Sequence, residues 1–386
     1  MPSLKNSRKF ALLALLALLL LMGGAPAPQA QKLEAAAGLL DLSNTELFPP
    51  PIPLGVSGGN ANDTNIINNQ EWCCSGTLGC LVIGGDSSGT LYILSNNHVL
   101  ARTNKGVIGE GIIQPGLVDV NCDPSLATVV ANLSRFVKIK FGGPINYVDA
   151  AIAQVVPDMV NPSGEINLIG AISSQVLANP PLDTAVQKSG RTSGLTTGTL
   201  LSVGVKLKVT YEKKCNAGSR VATFKKLQMY QPGNFIQSGD SGSLIVTDPA
   251  IGCPQPVGLA FAGSSSYGFA CPIQTVLDTF KVTIVGTCIA APDSAAGPAP
   301  TAPQAEMNMT QADEVARLTA IKERHDDAIF KIPEVVGTGV GLHRETKTPV
   351  VEIYLEKDTP EVRRQLPKSL DGAPVQIIET GKVRAL

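Results

Sequence analysis

Five consecutive residues place a serine where nucleophilic chemistry is feasible. They run Gly239-Asp240-Ser241-Gly242-Ser243, and an apolar run at residues 244–246 follows directly. The pattern predicts that Ser241 lies on a glycine-shaped turn at the start of a strand. Glycine lets the backbone approach a bound molecule and point its N–H groups outward, as an oxyanion site built from backbone donors requires.

A serine hydroxyl is a weak nucleophile and needs a neighbouring base. The sequence contains three histidines, His98, His325 and His343. The last two follow an Ala/Pro-rich stretch at 290–306, a composition typical of a semi-stiff linker. If the base comes from the domain of the serine, elimination leaves His98. It lies in the run Ser-Asn-Asn-His-Val-Leu directly after a predicted strand.

The base in turn needs a carboxylate that fixes its tautomer and stabilises the imidazolium. Asp149 is the strongest candidate, because it opens an apolar strand-like run and lies between His98 and Ser241 in the sequence. Three other aspartates lie in loop-like settings and remain alternatives: Asp119, Asp123 and Asp183.

These motifs resemble those of the trypsin/chymotrypsin-fold serine peptidases. The order of His, Asp and Ser is the same, with S-N-N-H-V-L, V-D-A-A-I-A and G-D-S-G-S around them. The likeness is closer to the bacterial secreted and HtrA-like members, and it covers roughly residues 72–290. The run K-S-G-R-T-S-G-L-T-T-G at 188–198 resembles the opening of the second barrel in secreted bacterial relatives.

The resemblance implies an all-β fold of two six-stranded antiparallel barrels, with the triad in the cleft between them. Carried over, Ser241 is the nucleophile, His98 the general acid/base and Asp149 the orienting carboxylate. The N–H groups of Gly239 and Ser241 would form the oxyanion hole. The substrate side-chain pocket would be lined by Phe235, Ala260, Phe261, Ala262 and Gly263. None of these is charged, so we expect a preference for small or apolar side chains.

One departure concerns activation. No I-V-G-G-like start is present in the sequence. Activation by a freed N-terminus that pairs with Asp240 is therefore not supported.

The first 30 residues predict a signal peptide. Three basic residues precede an apolar stretch of 13 residues, Phe10–Met22, and small residues follow it. This stretch is too short for a comfortable membrane span. We therefore expect a secreted or periplasmic protein without a membrane partner once the signal is removed.

Export gives the eight cysteines an oxidising setting. All lie between residues 73 and 288, and they predict up to four disulfides. The 105 possible pairings leave the connectivity open. The cluster Cys73, Cys74 and Cys80 lacks C-x-x-C spacing and a nearby histidine, so no metal site or other cofactor is expected.

The composition divides the chain further. Residues 31–71 predict an extended lead-in or propeptide, residues 72–289 the peptidase domain and residues 307–386 a small α+β C-terminal domain of unknown role. Residues 307–386 hold 25 charged residues in 80, against 35 in 276 for residues 31–306. This shift supports a boundary at the linker.

The function that the sequence predicts is that of a secreted serine endopeptidase acting on a protein or peptide substrate. A protease-fold protein that binds or scaffolds without cleaving is the alternative. The formal net charge of −1 gives no reason to expect a nucleic-acid partner.

Overall fold

The computed structural model describes residues 43–86, 89–248, 252–288 and 302–386, with side chains in the last range from residue 311. The predicted signal peptide, most of the linker and residues 31–42 of the lead-in lie outside these ranges. Residues 44–386 form one compact unit. Among the described residues, no helix combines the length and apolar character needed to cross a membrane.

The described chain is mostly β-structure. The strands in chain order are β1 (Val56–Asn60), β2 (Thr64–Ile67), β3 (Gln70–Cys73), β4 (Gly76–Leu78), β5 (Cys80–Gly84), β6 (Leu91–Ser95), β7 (Gly111–Gln114), β8 (Thr128–Phe136), β9 (Ile145–Asn146), β10 (Ala151–Val155), β11 (Ala185–Gly190), β12 (Gly194–Lys214), β13 (Ala217–Gln231), β14 (Leu244–Thr247), β15 (Pro256–Gly263), β16 (Gly268–Pro272), β17 (Val282–Ile284), β18 (Val335–Leu342), β19 (Pro349–Leu355), β20 (Ser369–Leu370), β21 (Ala373–Glu379) and β22 (Arg384–Ala385). The helices are α1 (Asn97–Leu100), α2 (Ile273–Phe280), α3 (Ala302–Ile329) and α4 (Pro360–Arg363). Three single 3₁₀ turns lie at Leu117–Val120, Pro124–Leu126 and Gly233–Phe235.

The first sheet has the strand order β17-β5-β6-β10-β8-β7-β1-β4. Only Gly79 separates β4 from β5 in the chain, yet the two strands lie at opposite ends of the run from β5 to β4. The sheet therefore curls back on itself. The first strand begins at Val56, before Trp72, where the sequence predicts that the peptidase domain begins. All five residues of this strand are buried.

The second sheet follows the path β20-β21-β19-β18-β12-β11-β14-β15-β16-β13-β9, and β22 pairs with both β12 and β15. Its central hairpin is long: β12 has 21 residues and β13 has 15. Register shifts at residues 200–207 let these strands bend and twist.

Residues 307–386 contain both helix and strands, as the predicted α+β composition requires, and the helix α3 begins before them at Ala302. The helix α3 covers β18 and β19 with apolar residues such as Leu318 and Ile321. The strand β18 pairs antiparallel with β12, with Val203 opposite Val340, so this layer continues the second sheet. Its status as a separate domain remains a prediction.

Three disulfides join Cys73 to Cys122, Cys74 to Cys215, and Cys253 to Cys288. The other two cysteines, Cys80 and Cys271, are buried thiols. The upper bound of four disulfides is therefore not reached in this structure.

A buried ion pair fixes the turn that carries Ser241. Lys188 of β11 places its Nζ 3.0 Å from Asp240 Oδ2, and both side chains are fully buried. The same carboxylate accepts hydrogen bonds from the backbone N–H groups of Thr192, Ser193 and Gln237. The partner of the buried Asp240 carboxylate is thus a lysine inside the sheet.

We predict that Lys188→Met lowers the free energy of unfolding by about 3–5 kcal/mol, because it leaves the buried Asp240 charge unpaired. Urea unfolding measures this loss. The control is Arg364→Met at the exposed Arg364–Glu361 pair, which should leave the unfolding midpoint unchanged. Equal stability of wild type and Lys188→Met would contradict the prediction, and Lys188→Met with Asp240→Asn should recover part of the loss.

Candidate active site

Two neighbouring strands bring His98 and Asp149 together. His98 lies on α1, directly after β6, and Asp149 lies just before β10. The strands pair antiparallel, with Ala151 opposite Ser95, so the end of one meets the start of the other. The loop before β10 is fixed further by Asn96, whose side-chain amide donates to the Asp149 carbonyl at 2.7 Å.

The contact between the two side chains is direct. His98 Nδ1 lies 2.6 Å from Asp149 Oδ2, and the backbone N–H of His98 donates to Asp149 Oδ1 at 3.3 Å. Asp149 is fully buried. With Nδ1 bound to the carboxylate, Nε2 is the ring nitrogen left for proton transfer. Of the four candidate aspartates, Asp149 is thus the one in contact with His98.

A third partner of the carboxylate was not predicted from the sequence. Tyr211 of β12 donates its hydroxyl proton to Asp149 Oδ2 at 2.7 Å. Its ring meets the His98 imidazole edge-on, with 5.8 Å between the centroids. Tyr211 lies 62 residues after Asp149, and only its place in a strand pattern marks it in the sequence.

The electrostatics favour a protonated His98. Burial lowers the pKa of His98, but the charge of Asp149 and hydrogen bonds to Asp149 and to the Leu386 carbonyl outweigh it. The net result is a pKa above the ordinary value of 6.5. Asp63 adds a smaller negative charge near the ring, and burial raises its own pKa to about 6.

Ser241 comes to this site from the second sheet. Its turn is held by glycines in left-handed backbone conformations, with φ of +97° at Gly239 and +95° at Gly242. Gly242 packs so closely against Ser95 and Thr77 that a β-carbon there would lie 2.0 Å from Ser95 Oγ. The turn therefore depends on glycine at this position both for its dihedral angle and for space.

Within the described residues, no hydrogen bond joins the serine hydroxyl to the histidine. Ser241 Oγ donates to the Phe261 carbonyl at 3.1 Å, and His98 Nε2 lies 3.1 Å from the Leu386 carbonyl oxygen. Within the described residues, the backbone N–H groups of Gly239 and Ser241 donate to no protein acceptor. Two neighbouring donors are thus free at the predicted oxyanion hole.

The predicted pocket residues lie on a 3₁₀ turn and on β15. Phe235 ends a short 3₁₀ turn and packs on Tyr230, with 5.6 Å between the ring centroids. Residues 260–263 form the end of β15, and all are buried. Phe235 and Ala260 belong to one apolar cluster, against which the Leu386 side chain packs.

A cavity of about 310 Å³ opens beside His98 and Leu386. Three lysines contribute to its lining, Lys105, Lys213 and Lys214. Asp63 lies close to Cys74 and Cys215 in the only cluster of potential metal ligands found among the described residues. Both cysteines are joined in a disulfide, so this cluster lacks the thiolates that a metal would need.

No protein-family model matches the chain, and no curated protein does. Solved structures of serine proteases, among them the following three, show a likeness. The chain is similar to a glutamic acid-specific serine protease that utilises a histidine triad in substrate binding, with 18% identity, 60% of this chain and 100% of that chain covered, and a TM-score of 0.38. It is similar to Nocardiopsis protease (14% identity, 60% and 98% covered, TM-score 0.40) and to Thermobifida fusca protease A (17%, 59% and 98%, TM-score 0.36). Likenesses this weak carry no argument about activity, and the predicted HtrA-like relationship remains a prediction.

Proposed function

We propose that the protein is a secreted serine endopeptidase that hydrolyses peptide bonds through an acyl-enzyme intermediate. The observation that supports this most is the pairing of His98 with a fully buried Asp149, next to the glycine turn of Ser241. A buried carboxylate on Nδ1 is the arrangement that lets a histidine act as a base through Nε2. The curled first sheet and the site between the two sheets are compatible with the predicted pair of six-stranded barrels.

In this mechanism Ser241 Oγ attacks the carbonyl carbon of the scissile bond while His98 Nε2 accepts the hydroxyl proton. The oxyanion receives hydrogen bonds from the N–H groups of Gly239 and Ser241. His98 then gives its proton to the leaving amine, and the C–N bond breaks. Water attacks the resulting ester with His98 again as base, which releases the acid and restores Ser241.

The alternative is a protease-fold protein that binds peptides without cleaving them. It is favoured by one observation: Ser241 Oγ bonds to the Phe261 carbonyl, while His98 Nε2 faces Leu386. For catalysis the serine side chain must rotate towards Nε2. Covalent labelling separates the two functions, because only an activated serine reacts quickly with a fluorophosphonate.

We predict that a fluorophosphonate labels the oxidised protein at Ser241, with fluoride as the leaving group. Ser241→Ala should abolish labelling, and Ser241→Ala or His98→Ala should lower peptide turnover by roughly 10⁴–10⁶-fold. His343→Ala is the control. His343 lies at the start of the turn after β18, so this variant should have normal turnover. A wild-type protein that never reacts would contradict the peptidase proposal.

The pH dependence follows from the raised pKa of His98. The base must be neutral, so activity should increase as the pH rises through this pKa. We therefore expect the acid limb of kcat/KM at a pH above 6.5, the ordinary histidine value. A pH–rate profile with a chromogenic peptide measures it. An acid limb below pH 6 would contradict the assignment of His98 as a base paired with Asp149.

Tyr211 is a positioning residue, since it acts through Asp149. We predict that Tyr211→Phe lowers kcat about tenfold and leaves KM unchanged, because one hydrogen bond to a charged group is lost while the ring still packs. Steady-state kinetics measure both constants. Tyr147→Phe, at an exposed tyrosine, is the matched control. A change in KM alone would indicate that Tyr211 acts on substrate binding instead.

A further inference from the structure

The last residues of the given chain lie along the edge of β15. The strand β22 pairs antiparallel with it, with Ala385 opposite Ala262 and Arg384 opposite Gly263. The backbone N–H of Leu386 also donates to the Phe261 carbonyl at 3.3 Å. Residues 384–386 therefore continue the sheet in an extended conformation, as a peptide added to a strand edge does.

The opposite edge of this segment is also held. Arg384 pairs in parallel with Thr210 of β12, and the Thr210 N–H donates to the Val383 carbonyl at 3.0 Å. Val383 is almost fully buried in the main core. The segment 383–386, which we call the tail, is thus anchored at Val383 and directed along β15 towards the catalytic residues.

The Leu386 side chain lies against residues of the predicted substrate pocket. It packs against the apolar cluster that contains Phe235 and Ala260. Gly263 provides the room, because a β-carbon at this position would come within 2.7 Å of Leu386 Cδ1. The cluster contains only apolar residues, so it suits an aliphatic side chain and disfavours a charged one.

The Leu386 carbonyl oxygen reaches the catalytic base. It lies 3.1 Å from His98 Nε2. Because a carbonyl only accepts hydrogen bonds, Nε2 must donate, while Asp149 holds the proton on Nδ1. The ring in this state is the imidazolium, which cannot take the proton of Ser241.

We propose that the tail is an internal ligand of the catalytic cleft, bound as the acyl side of a peptide substrate, with Leu386 in the pocket for the residue before the scissile bond. This inference rests on the proposed peptidase function. It implies that the preferred substrate has leucine at that position. It also implies that an external substrate must displace the tail.

A tethered ligand competes strongly because its effective concentration is of the order of millimolar for a short link. The expected signature is that of a competitive inhibitor: the tail raises the apparent KM and leaves kcat unchanged. A tail that only completes the sheet away from the substrate would change neither constant.

The test compares Leu386→Asn with Leu386→Met in the chain through residue 386. Asparagine has the shape of leucine but carries an amide that finds no partner in an apolar pocket, whereas methionine retains size and apolar character. The substrate is a chromogenic anilide with the acyl sequence Val-Arg-Ala-Leu. We expect Leu386→Asn to lower KM about tenfold at equal kcat, and Leu386→Met to behave as wild type.

Two further measurements distinguish a failure of the tail proposal from a failure of the peptidase proposal. Fluorophosphonate labelling of Ser241 should be faster in Leu386→Asn than in wild type; equal labelling rates with equal KM would overturn the tail proposal while the peptidase function stands. No labelling in any variant would overturn both. Should Leu386→Asn fold poorly, free Val-Arg-Ala-Leu acid tested as an inhibitor of Leu386→Gly provides a second test, and absence of inhibition counts against the tail.

The side-chain preference is tested with the same anilide carrying leucine, lysine or glutamate before the scissile bond. We expect kcat/KM for leucine to exceed that for either charged residue by at least tenfold, because the pocket cluster is apolar. A substrate with lysine or glutamate cleaved as well as the leucine substrate would overturn the assignment of the Leu386 pocket.

Discussion

The buried carboxylate of Asp149 is the constraint on which the rest of the site depends. Removing a carboxylate from water costs several kcal/mol unless donors replace the solvent. Here the donors come from two places in the chain: α1 supplies the backbone and ring of His98, and β12 supplies the hydroxyl of Tyr211. Because β10 belongs to the first sheet and β12 to the second, satisfying one charge holds the two sheets together at the cleft.

The strand β12, which carries Tyr211, connects the Asp149 carboxylate to several other strands of the fold. Along its 21 residues it pairs with β11, β13, β18 and β22. Near its middle, register shifts accompany its simultaneous pairing with β13 and β18. A single strand thus connects the hydroxyl of Tyr211, the C-terminal layer and the tail, so the candidate active site and the C-terminal layer are parts of one packed structure.

For the side chains whose chemistry is rare, the sequence alone points to His98 and Asp149, and the structure brings these two into contact; their catalytic roles remain a prediction. With three histidines and a linker, elimination leaves His98, and Asp149 is marked by the strand that it precedes. Tyr211 and Lys188 were not predicted, because each looks like an ordinary strand residue. In the sequence, Lys188 resembles a lysine exposed to solvent. Its burial depends on the pairing of β11 with β14, two strands far apart in the chain, and the sequence does not show this pairing. The predicted lining of the pocket remains a prediction, although Phe235 and Ala260 lie in one apolar cluster.

The first strand was missed for a different reason. β1 has the sequence Val-Ser-Gly-Gly-Asn, and glycine and asparagine are depleted in strands. The structure explains the glycine: a β-carbon at Gly58 would lie 2.4 Å from Leu78 Cγ on the neighbouring strand. The close approach of a neighbouring side chain thus selects a residue that a propensity argument counts against a strand.

The tail connects the C-terminal layer to the candidate active site. The chain leaves β21 at Glu379, and Thr380 is fixed there by its N–H bond to the Leu355 carbonyl. Val383 is held in the core, so residues 384–386 span roughly 10 Å from the last buried anchor to the base. Three residues can separate from β15 while the layer remains packed on β12. Displacement therefore requires loss of a short strand and one leucine contact, not unfolding of the layer, and this is a change that a substrate with similar contacts can drive.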